Sequence, residues 1–463
     1  MKLLRKKYVL RGLSSIMLAT TIMASFLTSL ALENSGQVNV FLGTNPPSQN
    51  VTDDTNYYPS QFANVTEMRA AEKMHDIQMQ EEGSVLLRNE GAALPLKQNP
   101  RVTLFGKTAA DPIYRGGSGG SALSTPKNLH NAFVEKGIVI NETIYNALLT
   151  SPIKRSRGFI GEVPGTFYTN ELQSSYASDY QDAAIIVLGR YGGEQQDMGA
   201  GGDSNADNVV NADGDPIDNQ GVPMLSLHQE ERDVLSLVQN STKFDKIIVI
   251  LNSGYPMDID EIDDYGVDSI LWIGYPGYTG FDGVAKIIVG DSEPSGRTVD
   301  TYATNSLSSP AMRNYGGFNW SNHTIDGQNK YLIYAEGVYL GYKYYETRYQ
   351  DQVLNQHNAL STKGIYANTV TWDYAAEMAY TFGSGRSYAN FTQTLVAADW
   401  NQTTHQVEVT VRVSHEGLPV GSLYQGKSKN VVQLYVQLPY ESGQAQKSAI
   451  QLIGYGKSKA LAQ

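Results

Sequence analysis

Two carboxylates three residues apart, Glu194 and Asp197, sit in the segment Gly189-Arg190-Tyr191-Gly192-Gly193-Glu194-Gln195-Gln196-Asp197-Met198. Such a pair suits general acid work, because burial or a neighbouring charge can keep one carboxyl protonated. Taken alone, the spacing fits solvated loop carboxylates equally well. A second segment, Arg115-Gly116-Gly117-Ser118-Gly119-Gly120-Ser121, has glycines that let backbone N–H groups approach a ligand closely. Gly116, Gly117 and Ser118 are therefore candidate substrate contacts, with a plain tight turn as the competing reading. The segment is neither a dinucleotide fingerprint, since Ala122 stands three residues after Gly119, nor a phosphate loop, since no Gly-Lys-Ser/Thr follows. The acidic stretch Asp203 to Asp218 resembles part of a calcium loop at Asn211, Asp213 and Gly214. Val209 and Gln220 occupy its first and twelfth ligand positions, so no metal site is assigned. Asn252-Ser253-Gly254 lacks the G-x-S-x-G pattern of a nucleophile elbow.

These loops need a frame, and short apolar runs alternating with amphipathic segments supply one. Val102–Phe105, Ile138–Ile140, Ala183–Leu188, Ile247–Leu251 and Ser269–Ile273 read as strands, and Val85–Leu87 is a further short apolar run. Thr66 to Gln80, Leu129–Val134, Leu227–Val238 and Gly277–Val289 read as helices, the last stopped by Gly290-Asp291 and Pro294. Strands alternating with helices predict an α/β domain with a mostly parallel sheet. The acidic pair then follows the carboxyl end of strand 183–188, the edge at which open α/β sheets bind ligands. Residues 301 to 370 are rich in Tyr and Asn without clear periodicity. From Phe391 onward alternation takes over: Val407, Val409, Val411 and Val413 share one face, and Val431 to Val436 forms another strand. That pattern predicts a small antiparallel β-sandwich.

Composition narrows the chemistry further. The 463 residues are 41% hydrophobic and 18% charged, enough to fill real cores. A net charge of −12 repels phosphates and argues against nucleic-acid binding. With no cysteine, disulfides, thiolate metal sites and a cysteine nucleophile are excluded. The 30 Tyr against 12 Phe suit wet surfaces and sugar or protein contacts. Lys2, Arg5, Lys6, Lys7 and Arg11 precede an uncharged run from Gly12 to Leu32, the pattern of an export signal. Cleavage after the small residues near Ser29-Leu30-Ala31 and retention as a membrane anchor are both open. Either predicts an extracellular or cell-surface location.

Several ordered motifs carry a family resemblance. Glu82-Gly83-Ser84-Val85-Leu86-Leu87-Arg88-Asn89-Glu90, Leu251-Asn252-Ser253-Gly254-Tyr255-Pro256-Met257-Asp258, Tyr275-Pro276-Gly277 and Gly290-Asp291-Ser292-Glu293-Pro294-Ser295-Gly296-Arg297 resemble the second domain of family 3 glycoside hydrolases, the β-glucosidase type. Glu336 to Tyr345 and Phe382 to Tyr388 look like the junction before that family's fibronectin type III-like domain, and Val431 to Val436 like one of its strands. The resemblance covers about Glu81 to Gly456. It implies an α/β sandwich over 81–300, a Tyr/Asn-rich connector over 301–385 and an incomplete fibronectin type III-like domain over 386–463. A signal or anchor (1–36) and a linker with a leading helix (37–80) precede them.

By the same resemblance, Glu194 falls on the acid/base glutamate of the family and Asp197 on the aspartate of its loop. Gly192, Gln195 and Met198 replace the Ser, second Gly and Arg of the usual pattern. The implied substrate is a β-linked oligosaccharide or glycoside, with no cofactor. A retaining glycosidase also needs a nucleophilic carboxylate about 5–5.5 Å from the first. In the family it comes from a (β/α)8 barrel, expected here in cis downstream or in trans, as in a permuted member whose front half this is. Ser178-Asp179-Tyr180 superficially copies the nucleophile motif but sits just before a strand of the second domain, and is rejected. The competing reading is a catalytically inert, surface-displayed carbohydrate-binding or scaffolding module.

Overall fold

The computed structural model describes residues 60–117, 125–155, 159–193, 198, 222–314, 318–320, 330–331, 334, 336–353, 373–441 and 444–462, with a few positions between 17 and 28. Glu194, Asp197, Ser118 and the stretch 203–218 lie outside the described residues, as does most of the run 12–32. Two compact units are present, 1–68 and 69–463. In the first, the described positions between 17 and 28 are helical. Among the described residues no helix is long and apolar enough to cross a membrane.

In the second unit a six-stranded sheet is built from β1 (Val85–Asn89), β2 (Arg101–Phe105), β3 (Val139–Ile140), β4 (Ala183–Arg190), β5 (Ile247–Ser253) and β6 (Ser269–Trp272). Its order is β1-β6-β5-β4-β2-β3, parallel throughout except for β1, which runs antiparallel to β6. All eight residues of β4 are buried, as are Val102 to Phe105 and Ile248 to Ser253. Burial on both faces is why these strands read as continuous apolar runs and not as alternating ones.

Helices α1 (Val65–Gly83), α2 (Lys107–Ala110), α3 (Leu129–Glu135), α4 (Glu142–Thr150), α5 (Asn170–Ser174), α6 (Gln229–Ser241) and α7 (Gly280–Val289) occur along the same stretch of chain. Their ends are set locally. Asn128 Oδ1 accepts from Asn131 N–H at 2.8 Å, and Asn141 Oδ1 accepts from Thr143 and Ile144, capping α3 and α4. At the end of α7, Gly290 takes φ 77°, where a Cβ would also meet Pro95 at 2.9 Å.

The chain passes from β2 outward to β3, then returns to place β4 on the other side of β2. Strand order therefore reverses between β2 and β4. The loops leaving these two strands start from the carboxyl edge on either side of the reversal, the usual ligand site of such sheets. The described parts of both glycine-rich segments, 115–117 and 189–193, lie at this edge.

Beyond the sheet, β7 (Tyr302–Ala303) pairs with β10 (Met378–Tyr380), and β8 (Phe318–Asn319) with β9 (Lys330–Tyr331), all antiparallel. The connector, which lacks apolar periodicity, contains α8 (Pro310–Asn314) and α9 (Tyr342–Gln352). Helix α9 buries Tyr344, Tyr345, Thr347 and Arg348, polar or amphipathic side chains that no hydrophobic pattern reveals. Two antiparallel pairs follow, β11 (Phe391–Asn401) with β12 (Gln406–His415) and β13 (Val431–Gln437) with β14 (Ile450–Lys457). Val407, Val409, Val411 and Val413 do share a face, opposite Trp400, Ala398, Leu395 and Gln393.

The motifs flanking the sheet pack on one another. Gly296 N–H donates to Ser84 O at 3.0 Å, Arg386 N–H to Leu86 O at 2.7 Å, and Thr298 N–H to Ser384 O at 2.8 Å. Lys429 Nζ donates to Glu82 Oε1 at 2.7 Å, and Lys457 Nζ lies 3.4 Å from Glu82 Oε2. Partial burial raises the Glu82 pKa, but the two lysines and Gln78 outweigh it and hold the carboxyl at about 2. These bonds join the segment before β13, β14 and the 384–386 turn to α1 and β1.

Candidate functional site

The two glycine-rich loops meet. Gly117 N–H donates to Gly192 O at 2.9 Å, tying the loop after β2 to the loop after β4. Within the described residues the N–H of Gly117 is thus engaged by protein. Close approach is what the glycines permit: a Cβ on Gly193 would lie 2.3 Å from Gly117 N, and one on Gly116 3.0 Å from Gly192 O. Gly193 also has φ 153°, a backbone conformation that side chains rarely adopt.

Tyrosines form the support beneath this seam. Tyr275 Oη accepts from Gly192 N–H at 3.2 Å and donates to Arg190 O at 3.0 Å, bracing the turn on both sides. Burial raises the Tyr275 pKa, keeping the phenol protonated and able to donate. The Tyr255 ring lies so close to Gly192 that a Cβ there would be 2.3 Å from it. Asn252 closes the floor: its Oδ1 accepts from Ile113 N–H at 2.7 Å, and its Nδ2 donates to Ile113 O and Gly274 O at 2.9 and 2.6 Å. This amide takes the place of the polar contacts the three chain segments would otherwise leave unmade in the interior.

The strand under the loop ends on a buried ion pair. Arg190 is wholly buried and faces Glu231 of α6, which is 1% exposed. The pair is bidentate, with Arg190 Nη1 to Oε1 at 2.6 Å and Nη2 to Oε2 at 2.7 Å. The guanidinium also donates to the carbonyls of Met224, Ser226 and Gly189 at 2.5, 2.7 and 2.9 Å. Burial pushes the Glu231 carboxyl up, but the charge and hydrogen bonds of Arg190 outweigh it and the net shift is downward. His228 beside the pair is driven down to about 4, first by burial and then by the Arg190 charge, so it is neutral at physiological pH. Met198, standing where the family pattern has arginine, joins the apolar cluster of Ile160, Met224 and Leu225. The cationic groups below this loop are instead Arg190 and Arg155, whose Nη2 donates to Thr108 Oγ1 and Asp111 O, both at 3.0 Å.

Gly116, Gly117, Gly192 and Gly193 are thus brought together at the carboxyl edge of the sheet, and the chain continues from Gly193 directly into Glu194. Asp179 is placed elsewhere. It precedes β4 and pairs through both oxygens with Arg101 at the start of β2, at the amino edge of the sheet. The eight residues of β4 separate it from the Glu194 loop by on the order of 25 Å. That is about five times the 5–5.5 Å spacing of a retaining pair, so Asp179 is no part of a site at the loop after β4.

Residues 84–342, more than half of the chain, match the glycosyl hydrolase family 3 C-terminal domain. The chain belongs to this family. Its relatives include a beta-glucosidase of Ruminococcus albus, 28% identical over 391 residues that make up 82% of this chain and 34% of the relative. Beta-glucosidase A of Butyrivibrio fibrisolvens is 25% identical over 82% of this chain and 43% of its own length. The chain therefore spans between a third and a half of these relatives. Beta-glucosidase 3B from Thermotoga neapolitana, solved in complex with alpha-D-glucose, superposes with TM-score 0.62 at 23% identity, over 89% of this chain and 49% of that one. That likeness supports the fold: a glycosyl hydrolase family 3 α/β domain followed by small antiparallel β-sheets.

Within this family 3 domain, the seam offers a direct test of loop positioning. Gly193→Ala must move backbone, since the clash is with Gly117 N and not with a flexible side chain. A loss of roughly 1–3 kcal/mol is expected in urea denaturation. Gly454→Ala is the control, because nothing lies within 4 Å of its added Cβ. Equal stability of the two variants would show that the loops are not locked together.

Proposed function

We propose that this chain supplies the acid/base loop of a retaining β-glucosidase-type glycosidase acting on β-linked glycosides. Glu194 is the general acid that protonates the leaving oxygen and then the base that activates water. Asp197 tunes its proton affinity through its field. The observation that carries this reading is the braced seam of Gly116–Gly117 with Gly192–Gly193, which ends on the residue before Glu194 at the strand-order reversal. The nucleophilic carboxylate comes from a (β/α)8 barrel domain, joined in cis or acting in trans. Family membership and the beta-glucosidase relatives support the substrate class. The deciding experiment is substitution of Glu194 in the presence of the barrel domain, as set out in the Discussion.

The basic residues before Gly12–Leu32 support a location outside the cytoplasm. Protease added to intact cells is then expected to digest the family 3 domain. Full protection until lysis would contradict that placement.

A further inference from the structure

At the same carboxyl edge, two strands along from β4, an aromatic cup opens beside β6. Tyr255, Trp272 and Tyr302 line it, with Thr298, Val299 and Asp300 on the same wall, and it encloses a volume of about 110 Å³. Tyr302 and Thr298 are buried, Tyr255 and Trp272 half-buried, and Val299 and Asp300 exposed. Tyr255 is shared between the two places, because its ring also packs on Gly192 at the base of the Glu194 loop. Two interstrand spacings, roughly 10 Å, separate the ends of β4 and β6, a distance that one short oligosaccharide bridges.

The cup is held rigid. Trp272 Nε1 donates to Ser253 O at 2.7 Å. Ser253 Oγ accepts from Tyr255 N–H at 3.0 Å and donates to Tyr255 O at 2.9 Å, fixing the turn that presents the tyrosine. Thr298 Oγ1 donates to Thr381 O at 2.8 Å, and Asp300 Oδ1 accepts from Thr301 N–H at 2.8 Å, which orients the carboxylate. Immobilised aromatic walls with a carboxylate at the rim need no ordering when a ligand arrives.

We propose that this cup binds one neutral pyranose unit of an oligosaccharide, remote from the bond being cleaved. Aromatic faces match the C–H faces of a pyranose, and a carboxylate accepts strongly from sugar hydroxyls. At about 110 Å³ the cup seats one face of a single pyranose, the rest of the ring staying in solvent. Asp300 and the net charge of −12 disfavour an anionic ligand. The proposal rests on reading the chain as a glycoside-processing domain, and it adds a subsite built from this chain's own residues.

The test is equilibrium binding of cellobiose and cellotriose to the full chain carrying Glu194→Gln, so that acid catalysis plays no part. Tryptophan fluorescence should change saturably. Val299→Arg, at an exposed position, places a long side chain and a cation across the mouth and should weaken binding about tenfold or more. Asp300→Ala should weaken it about tenfold, the value of one charge-assisted hydrogen bond. Trp272→Phe should abolish the fluorescence change while calorimetry still detects binding. Circular dichroism should be unaltered in the Val299 variant. Absence of saturable binding, equal binding by Val299→Arg, or a fluorescence change that survives Trp272→Phe would overturn the subsite. Binding at the cup together with unchanged turnover after Glu194→Gln would instead retire the acid assignment and leave the subsite standing.

Discussion

With the barrel domain supplied, Glu194→Gln should lower kcat/KM on an alkyl β-glucoside by roughly 10²–10⁴-fold, the usual contribution of a positioned general acid. An alkoxide is a poor leaving group and cannot depart without a proton. A dinitrophenyl glycoside needs almost none, so its glycosylation step should be far less affected until deglycosylation, which needs Glu194 as base, becomes limiting. Asp197→Asn should behave differently, shifting the pH profile or raising KM, because it acts through its field on Glu194. An unchanged kcat/KM on the alkyl glucoside after Glu194→Gln would place the acid elsewhere.

The second large effect belongs to the ion pair under the loop. Arg190→Met leaves Glu231 buried and uncompensated, and the carbonyls of Met224 and Ser226 lose their donor. Breaking a buried pair from one side costs about 3–5 kcal/mol. Replacing both partners by methionine should cost much less, since no isolated charge remains. The pH dependence distinguishes the two states of Glu231. Paired, its carboxyl lies below its ordinary value of 4.5. The stability it contributes is present in full above 4.5 and is lost as pH falls through the lowered value. Without Arg190, burial, the largest influence, is opposed only by His228 and raises the carboxyl above 4.5. The variant should then lose stability as pH rises from 4.5 toward that raised value, the opposite slope. Urea unfolding between about pH 2.5 and 8 reads both slopes, and parallel curves for the two proteins would contradict the pairing.

The parallel strands were legible because burial on both faces makes a run such as Ala183–Leu188 uniformly apolar. The same cue stopped short at the functional end. Strand β4 continues through Gly189 and Arg190, but glycine followed by arginine reads as loop unless a distant carboxylate is known to face it. Glu231 lies 41 positions away on α6, and no local pattern links the two. Asn252 was legible only as part of a motif. Its use as a staple between Ile113 and Gly274 depends on where β5 ends relative to two other chain segments. Helix α9 was hidden for a different reason: its buried face is made of tyrosines, Thr347 and Arg348, so it has no hydrophobic period. Tyr275 and Tyr255 stood in recognised motifs, yet their role as braces of the Glu194 loop follows only from contacts across the sheet. The glycines at 116 and 117 were read as permitting close approach to a ligand, and in the structure they approach Gly192 and Gly193.

The most direct measurement is the product that Glu194→Gln forms from dinitrophenyl β-glucoside in the presence of azide, with the barrel domain joined to this chain. Azide attacks the glycosyl-enzyme without a general base, from the face the dinitrophenolate has vacated, opposite the enzymic carboxylate. Two inversions return the original configuration. β-Glucosyl azide, identified by the anomeric proton coupling in its NMR spectrum, with a partly restored rate, is the expected result for an acid/base residue. α-Glucosyl azide, or no azide product and no rate recovery, would contradict the assignment of Glu194.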